Sequence, residues 1–333
     1  MKDAVHRPSM ADVAARAGVS HQTVSRVLND PGSVAPATRK RVESAIAELH
    51  YRRNLAARAL AGRHARVIGV LSDMGPWFGP TQSLVAIERG ARAMGYLTVA
   101  GVLTDAADLG TTVRQFLDLG VEGAIVIAHD RPTLGAARML SGQLPVCLVC
   151  ADGQHADTAQ VVIDQYGAAR AATRHLLDSG RRHIAHLAGP IDWFDAARRE
   201  QGWRDELSDA GLDHIVRAAG WRAVEGYRAT QSLLASGTRF DAVFAANDMV
   251  ALGAIRAANA VGLRVPEDIA IAGFDDVEGA DQFLPPLTSV RQPFPELGLA
   301  AVGQLGRLLA GQATEPVVLR PELVIRTSSA SPR

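Results

Sequence analysis

The run His21-Gln22-Thr23-Val24-Ser25-Arg26 carries amide and guanidinium side chains of the kind that can bond the edges of DNA bases. A glutamine amide can hold adenine through two hydrogen bonds, and an arginine guanidinium can hold guanine in the same way. Charge points to the same kind of partner. The chain as a whole is neutral, yet residues 1–66 carry +7 and the remainder −7. A basic head on an acidic body fits contact with a polyanion. Cys147 and Cys150 have the spacing of a redox pair or half a zinc site. They lie in an apolar run at 144–151 that reads as a strand, where residues three apart leave from opposite faces. With no second cysteine pair in the sequence, two small buried side chains are the better reading. The adjacent carboxylates Asp275 and Asp276 could be an acid and a base, but neighbours on a turn seldom converge on one bond. The sequence has no P-loop, no G-x-S-x-G elbow, no H-E-x-x-H and no dinucleotide fingerprint after a strand. The expectation is therefore a protein that is not an enzyme and needs no cofactor or metal.

The base-reading run needs a rigid support, and the flanking sequence supplies one. Ser9 is placed to cap a helix whose inner face is Met10, Val13, Ala14 and Ala17. Gly18 stops it, and Ser20 caps a second helix with Val24, Val27 and Leu28 inward. Asn29-Asp30-Pro31-Gly32 ends that helix. Pro36 opens a third, with Val42, Ala45, Ile46 and Leu49 inward. Two short helices joined by a tight glycine turn and braced by a third form a helix-turn-helix, whose second helix enters the major groove.

From residue 66 onward, apolar strand signals alternate with helical ones. Strands are expected at 67–71, 97–102, 124–128, 145–149 and 161–163, with helices at 84–94 and 112–119. The pattern then restarts, with strands at 184–188, 215–218, 242–245 and 269–272 and helices at 168–179 and 196–210. Such alternation implies parallel sheets covered on both faces. Two lobes of this kind place a ligand in the cleft beyond the strand C-termini. No run of about 18 apolar residues predicts a membrane helix. The N-terminus lacks a signal peptide pattern, so the cytoplasm is the expected location.

The segment from Met10 to Asn29, continued by Val34, Thr38, Arg39, Val42, Leu49 and Tyr51, closely resembles the head of the lactose-repressor/galactose-repressor (LacI/GalR) family. Asn54-Leu-Ala-Ala-Arg-Ala-Leu-Ala-Gly62 resembles the family's hinge helix, with Leu60 at the position of the leucine that opens a minor-groove step. Arg53 departs from the proline that many members have there. The body resembles the family through Leu187-Ala-Gly-Pro190, Arg199-Glu-Gln-Gly-Trp203, the run Ala245 to Gly253, Gly273-Phe-Asp-Asp276 and the run Leu284 to Phe294.

The resemblance implies a small all-α helix-turn-helix head on an α/β periplasmic-binding-protein-like body of two doubly wound parallel-sheet lobes. It implies a DNA-binding domain at 1–50, a hinge helix and linker at 51–65, and an effector-binding domain at 66–333. The first lobe would take about 66–164 and 293–320, the second about 165–292 and 321–333. Candidate contacts to double-stranded operator DNA are Ser9, His21, Gln22, Thr23, Ser25, Arg26, Asn29, Arg53, Asn54 and Leu60. Candidate effector contacts are Phe78 and Pro80 in the loop after the first strand, then Trp193, Arg199, Trp221, Asn247, Asp275 and Phe294. Arg198 competes with Arg199 for the clamp. Ile127 replaces a polar cleft residue, and Cys150 stands near a sugar-binding aspartate of the lactose repressor, with Asp152 close by. These departures argue against a simple galactoside. The implied protein is a homodimeric repressor controlled by a mono- or disaccharide. The alternative effector is a corepressor of another class, such as a purine. A transport-type sugar-binding protein and a sugar kinase with a DNA-binding head are the rival readings, opposed by the N-terminal reader and the missing phosphate loops.

Overall fold

The computed structural model describes residues 8–51, 66–73, 75–103, 109–151 and 158–330. The chain forms two compact units, Met1–Ala65 and Arg66–Arg333. In the first, α1 (Met10–Ala17), α2 (His21–Asn29) and α3 (Pro36–Glu48) enclose Val13, Ala14, Ala17, Val24, Val27, Val42 and Ala45. Ser9 and Asp12 cap α1 reciprocally, each side chain accepting from the other's backbone N–H. Gly18 turns the chain at φ 65°, a left-handed angle that glycine adopts without steric cost. Arg16 pairs with Glu48 and ties α1 to α3.

The second unit begins with β1 (Val67–Asp73), α4 (Phe78–Ala93), β2 (Leu97–Leu103), α5 (Leu109–Asp118), β3 (Gly123–Ile127), α6 (Arg131–Ser141), β4 (Val146–Val149) and β5 (Ala159–Ile163). Then come α7 (Gln165–Asp178), β6 (Ile184–Ala188), α8 (Phe194–Asp209), β7 (Ile215–Ala218), α9 (Ala223–Ala235), β8 (Ala242–Ala245), α10 (Asp248–Ala260), β9 (Ala270–Asp275) and β10 (Thr288–Arg291). The unit closes with α11 (Phe294–Leu309), β11 (Val317–Leu319) and β12 (Glu322–Val324). Two six-stranded sheets result, ordered β11-β5-β4-β3-β1-β2 and β12-β10-β9-β8-β6-β7, parallel except where β12 runs against β10. The chain therefore crosses between lobes three times: after β5, after β10, and between β11 and β12. In each sheet the strand order reverses between the first and third strands of the lobe, at β1/β3 and β6/β8, which is where doubly wound sheets open a crevice.

Both sheets are buried on both faces, as parallel sheets with helical cover must be. Ile125 and Ile127 pack under α4 and α11, while Ala124 and Val126 pack under α5 and α6. Cys147 and Cys150 fall into these two different clusters, and burial pushes the Cys147 thiol up to about 12. They are separate inert core residues. Among the described residues, no helix is long and apolar enough to cross a membrane.

His186 on β6 is fully buried between Trp203 at 5.4 Å and Phe244 at 5.1 Å, and its Nδ1 lies 2.9 Å from the Phe244 carbonyl. Burial, only partly opposed by that hydrogen bond, lowers its pKa from 6.5 to about 4. The unfolded chain then binds the proton more tightly than the fold does. His186 contributes stability above pH 6.5 that is lost as the pH falls toward 4. Between pH 7.5 and 5 the native protein should lose roughly 2 kcal/mol more than a His186→Gln variant. Denaturant melts of both proteins at the two pH values check this, and equal losses would contradict it.

Candidate functional site

In the first unit, Ser20 Oγ accepts from the backbone N–H of Thr23 at 3.1 Å and fixes the start of α2. Val24 and Val27 anchor the helix in the core, which leaves His21, Gln22 and Arg26 exposed and Thr23 and Ser25 half-buried. The Thr23 hydroxyl contacts Ser20 Oγ at 2.9 Å. Ser9 is exposed at the α1 cap, and Asn29 ends α2. Exposed amide and guanidinium groups on an otherwise buried short helix form the arrangement that base reading requires. Arg53, Asn54 and Leu60 lie outside the described residues, as does Asp152.

In the second unit a small cavity of about 40 Å³ opens beyond the C-termini of β3, β4 and β5. Pro80 and Phe294 line it, together with five polar side chains the sequence did not single out: Ser83, His129, Gln165, Asp195 and Gln292. Phe78 and Pro80 sit in the first turn of α4, not in a loop, because proline suits that position. Phe78 packs edge-on against Phe294 at 5.8 Å.

Arg199 and Asp275 stand behind the two glutamines in a closed ring of hydrogen bonds. Arg199 Nε donates to Gln165 Oε1 at 2.8 Å, Gln165 Nε2 to Gln292 Oε1 at 2.8 Å, and Gln292 Nε2 to Asp275 Oδ1 at 2.7 Å. The Arg199 guanidinium returns to within 3.5 Å of that same carboxylate oxygen. All four side chains are less than 9% exposed, at 4%, 4%, 6% and 6% around the ring. Burial raises the Asp275 pKa to about 6, with Arg199 and Gln292 pulling against it. Arg198, the competing arginine, bonds the exposed face of its own helix at Gln201.

The turn that presents Asp275 is strained. Asp275 and Asp276 have φ of 103° and 47°, a region that costs non-glycine residues free energy. Asp248 braces it from beneath: its carboxylate accepts from the Val277 N–H at 2.8 Å and from Ser289 Oγ at 2.5 Å. Ser289 Oγ in turn accepts from the Asp276 N–H at 3.0 Å. Burial, then the neighbouring Asp275, push the Asp248 pKa up to about 8. Asp276 turns away to pair with Arg291 and Arg326, each at 2.7 Å, so the two adjacent carboxylates serve different neighbours.

Asn247 is the N-cap of α10. Its amide oxygen accepts from Val250 N–H at 2.8 Å and its amide nitrogen donates to the Trp221 carbonyl at 3.1 Å. Trp77, Trp193 and Trp221 form one cluster, with Trp193 lying 6.0 Å from Trp77 and 5.4 Å from Trp221, both edge-on. Trp193 also lies 4.1 Å from His129 across the cleft, and the Phe194 N–H donates to the His129 carbonyl at 2.8 Å. His129 Nε2 is 3.2 Å from Asp73 at the end of β1. The buried Trp221 indole N–H has no hydrogen-bond partner among the described residues. Among those residues no group of three or more His, Cys, Asp or Glu could hold a metal ion. The site offers donors and acceptors for hydroxyls.

A family model described as bacterial regulatory proteins, lacI family, matches residues 9–54, and one described as a periplasmic binding protein-like domain matches residues 173–329. The lactose operon repressor of Escherichia coli (strain K12) is 33% identical over 98% of this chain and 93% of its own length. The crystal structure of the Lac repressor dimer bound to operator and the anti-inducer ONPF has a TM-score of 0.89, covering 98% of this chain and 100% of the other. The HTH-type transcriptional regulator CelR of Thermobifida fusca is 35% identical over 97% of this chain and 98% of that protein. A CelR–cellobiose complex has a TM-score of 0.73, at 31% identity, over 97% of this chain and 100% of the other. The HTH-type transcriptional repressor PurR of Erwinia tasmaniensis is 33% identical over 97% of each.

Proposed function

This chain belongs to the LacI family of bacterial regulatory proteins, and from that membership we propose a repressor that holds operator DNA as a homodimer and releases it in response to a sugar bound between its lobes. It is a DNA-binding regulator, and the relatives it matches are regulators too. Residues 1–50 form the DNA-binding domain, 51–65 the hinge and linker, and 66–333 the effector domain. His21, Gln22, Thr23, Ser25 and Arg26 meet base edges, with Ser9, Asn29, Arg53 and Asn54 at the backbone and Leu60 in the minor groove.

The observation that carries the sugar reading is the polar ring. Gln165 and Gln292 present their amides to a concave space whose walls include Phe294, and Arg199 and Asp275 hold those amides from behind. Vicinal hydroxyls bond such a set, and an apolar surface takes the C–H face of a pyranose. The complex of CelR with cellobiose supports this class of ligand. Gln165 and Gln292 also sit where the chain crosses between lobes. A ligand that bonds them favours one lobe placement, and only that difference in affinity shifts the operator equilibrium.

Selection of binding sites from random duplexes tests the reading. The full-length protein should recover a near-palindromic sequence, as a two-fold dimer requires. Gln22→Ala should change the preferred base at one position in each half-site, worth about 1–3 kcal/mol of discrimination. Arg53→Ala should weaken binding to all sequences and lower the salt slope by about one. A bound sugar should alter operator affinity in the native protein. Sequence-independent binding by all three proteins would overturn the assignment.

A further inference from the structure

The start of α8 belongs to the second lobe but packs on the first. Trp193 is the N-cap of that helix and Phe194 its first residue. The first N–H of a helix has no acceptor within the helix. Here the acceptor comes from across the cleft, where the Phe194 N–H donates at 2.8 Å to the carbonyl of His129, just past the end of β3. The Phe194 ring packs against the first-lobe cluster that includes Leu71, Ala128 and Leu134. Trp193 lies on the His129 ring at 4.1 Å, with the two planes 32° apart, and meets Trp77 of the first lobe edge-on. Arg222 of the second lobe reaches over the Trp77 ring at 5.8 Å.

The same contact carries an opposing contribution. His129 is 3% exposed, and neither ring nitrogen has a hydrogen-bond partner among the described residues. Its Nε2 lies 3.2 Å from Asp73 and 3.7 Å from Asp130, aligned for a hydrogen bond with neither, and Asp73 Oδ1 is also buried without a partner. In either neutral tautomer an imidazole has one N–H to donate and one lone pair to fill. Burying both unpaired is unfavourable, whereas the ring contact and the backbone bond favour closure. Withdrawal of Trp193 would return both nitrogens to water. Opposed contributions of similar size at one contact hold two lobe placements close in free energy, as a switch requires.

We propose that Trp193, Phe194 and His129 form a clasp between the lobes, which must release before the cleft admits an effector. With the clasp closed the cavity is about 40 Å³, too small for a hexose. An effector therefore binds only those molecules whose clasp is open, and its apparent affinity is reduced by that fraction. A change in the clasp equilibrium moves the effector midpoint by the same factor. Trp193 thereby sets the concentration at which the regulator responds, with no bond of its own to the ligand. The clasp goes beyond the sugar reading and acts on any effector larger than the cavity.

Amide hydrogen exchange of the full-length protein tests this without any ligand, because exchange at Phe194 reports how often its bond to His129 opens. Ala128 and Ala246 are the controls, since each N–H bonds within one lobe, to Val149 at 2.8 Å and to Leu187 at 2.9 Å. In the native protein Phe194 should be protected at least about tenfold, yet exchange faster than both controls. Trp193→Ala removes the ring contact and should speed Phe194 exchange at least about tenfold, leaving the controls unchanged. His129→Phe keeps a ring against Trp193 and removes the unpartnered nitrogens, so it should slow Phe194 exchange about tenfold. Cys150 lines the cavity and reports access to it. Its labelling by dithiodipyridine, a reagent larger than the cavity, should change in step with Phe194 exchange in both variants. Thermal melting establishes that each variant is folded. An unprotected Phe194 in the native protein, or equal acceleration of Phe194 and the controls in Trp193→Ala, would overturn the clasp. So would Phe194 exchange that is unchanged in both variants or faster in His129→Phe. Labelling of Cys150 that ignores the variants would overturn its control of the cleft.

Discussion

Arg199→Ala should leave a repressor whose effector affinity is at least about a hundredfold weaker, close to 3 kcal/mol. Arg199 is the only cation in the polar ring, and it is 4% exposed. Its guanidinium donates to Gln165 Oε1 and, at 2.5 Å, to the Ala246 carbonyl, and it lies over the Phe274 ring at 3.7 Å. Removing it leaves those two acceptors without their donor and Asp275 without the charge that opposes its burial. The Asp275 pKa, already about 6, then rises further, which shifts the carboxyl toward its neutral form and weakens it as an acceptor. Truncating one partner of a buried ion pair costs about 3–5 kcal/mol in stability. Arg199→Lys keeps the charge and should recover part of the stability. It lacks the planar fork that serves two acceptors at once, so it should recover little of the affinity. Titration of operator release with the tightest-binding sugar, beside thermal melts of the three proteins, gives both quantities. An unchanged effector midpoint in Arg199→Ala would remove the ring from the binding site.

Gly298→Val should destabilise the second unit by at least about 3 kcal/mol, the upper part of the usual range for overpacking. The helices α4 and α11 cross at Gly90 and Gly298. A Cβ on Gly298 would stand 2.1 Å from the Ala86 carbonyl oxygen and 2.9 Å from the Ile87 nitrogen, and both are backbone atoms that no rotamer change can move. The helix must be displaced, and α11 carries Leu297, Ala301, Val302 and Leu305 into the first lobe's core. Gly135→Ala in α6 is the counterpart, since nothing lies within 4 Å of its added Cβ. Helix propensity favours alanine there by up to about 1 kcal/mol. Denaturant midpoints of the two variants should move in opposite directions, and a neutral Gly298→Val would mean that the crossing is looser than described.

Three strands of the second lobe were legible to the residue, while β10 and β12 were not foreseen. β6, β7 and β8 fall at 184–188, 215–218 and 242–245, as their apolar runs predict. α4 was misread at its start. Gly79 and Pro80 signal a loop, but proline at the first turn loses no hydrogen bond and costs the helix nothing. Asn247 and Asp275 are visible as polar residues at the ends of strand patterns. Whether such a residue faces a ligand or serves its own backbone depends on local geometry, and Asn247 spends its amide on capping α10. Gln165 and Gln292 left almost no trace. Glutamine has no motif spacing, and the bond between them joins residues 127 positions apart. The one available signal was their place at the points where the repeating pattern leaves one lobe for the other.

That threefold crossing between lobes has a bearing on synthesis. The first sheet lacks β11, and its core lacks α11, until residues 294–319 have left the ribosome. Up to that point Ile125, Ile127, Val149 and Val161 have no cover from α11, and the edge of β5 has no partner strand. Nascent chains with open edges and bare apolar faces are prone to aggregation and engage chaperones. Among the described residues the three-helix head packs only on itself, up to Tyr51, and can fold early in translation. A message cut short before residue 294 would therefore release a folded DNA reader joined to a body that cannot close, which places quality control of this regulator at residues 294–319.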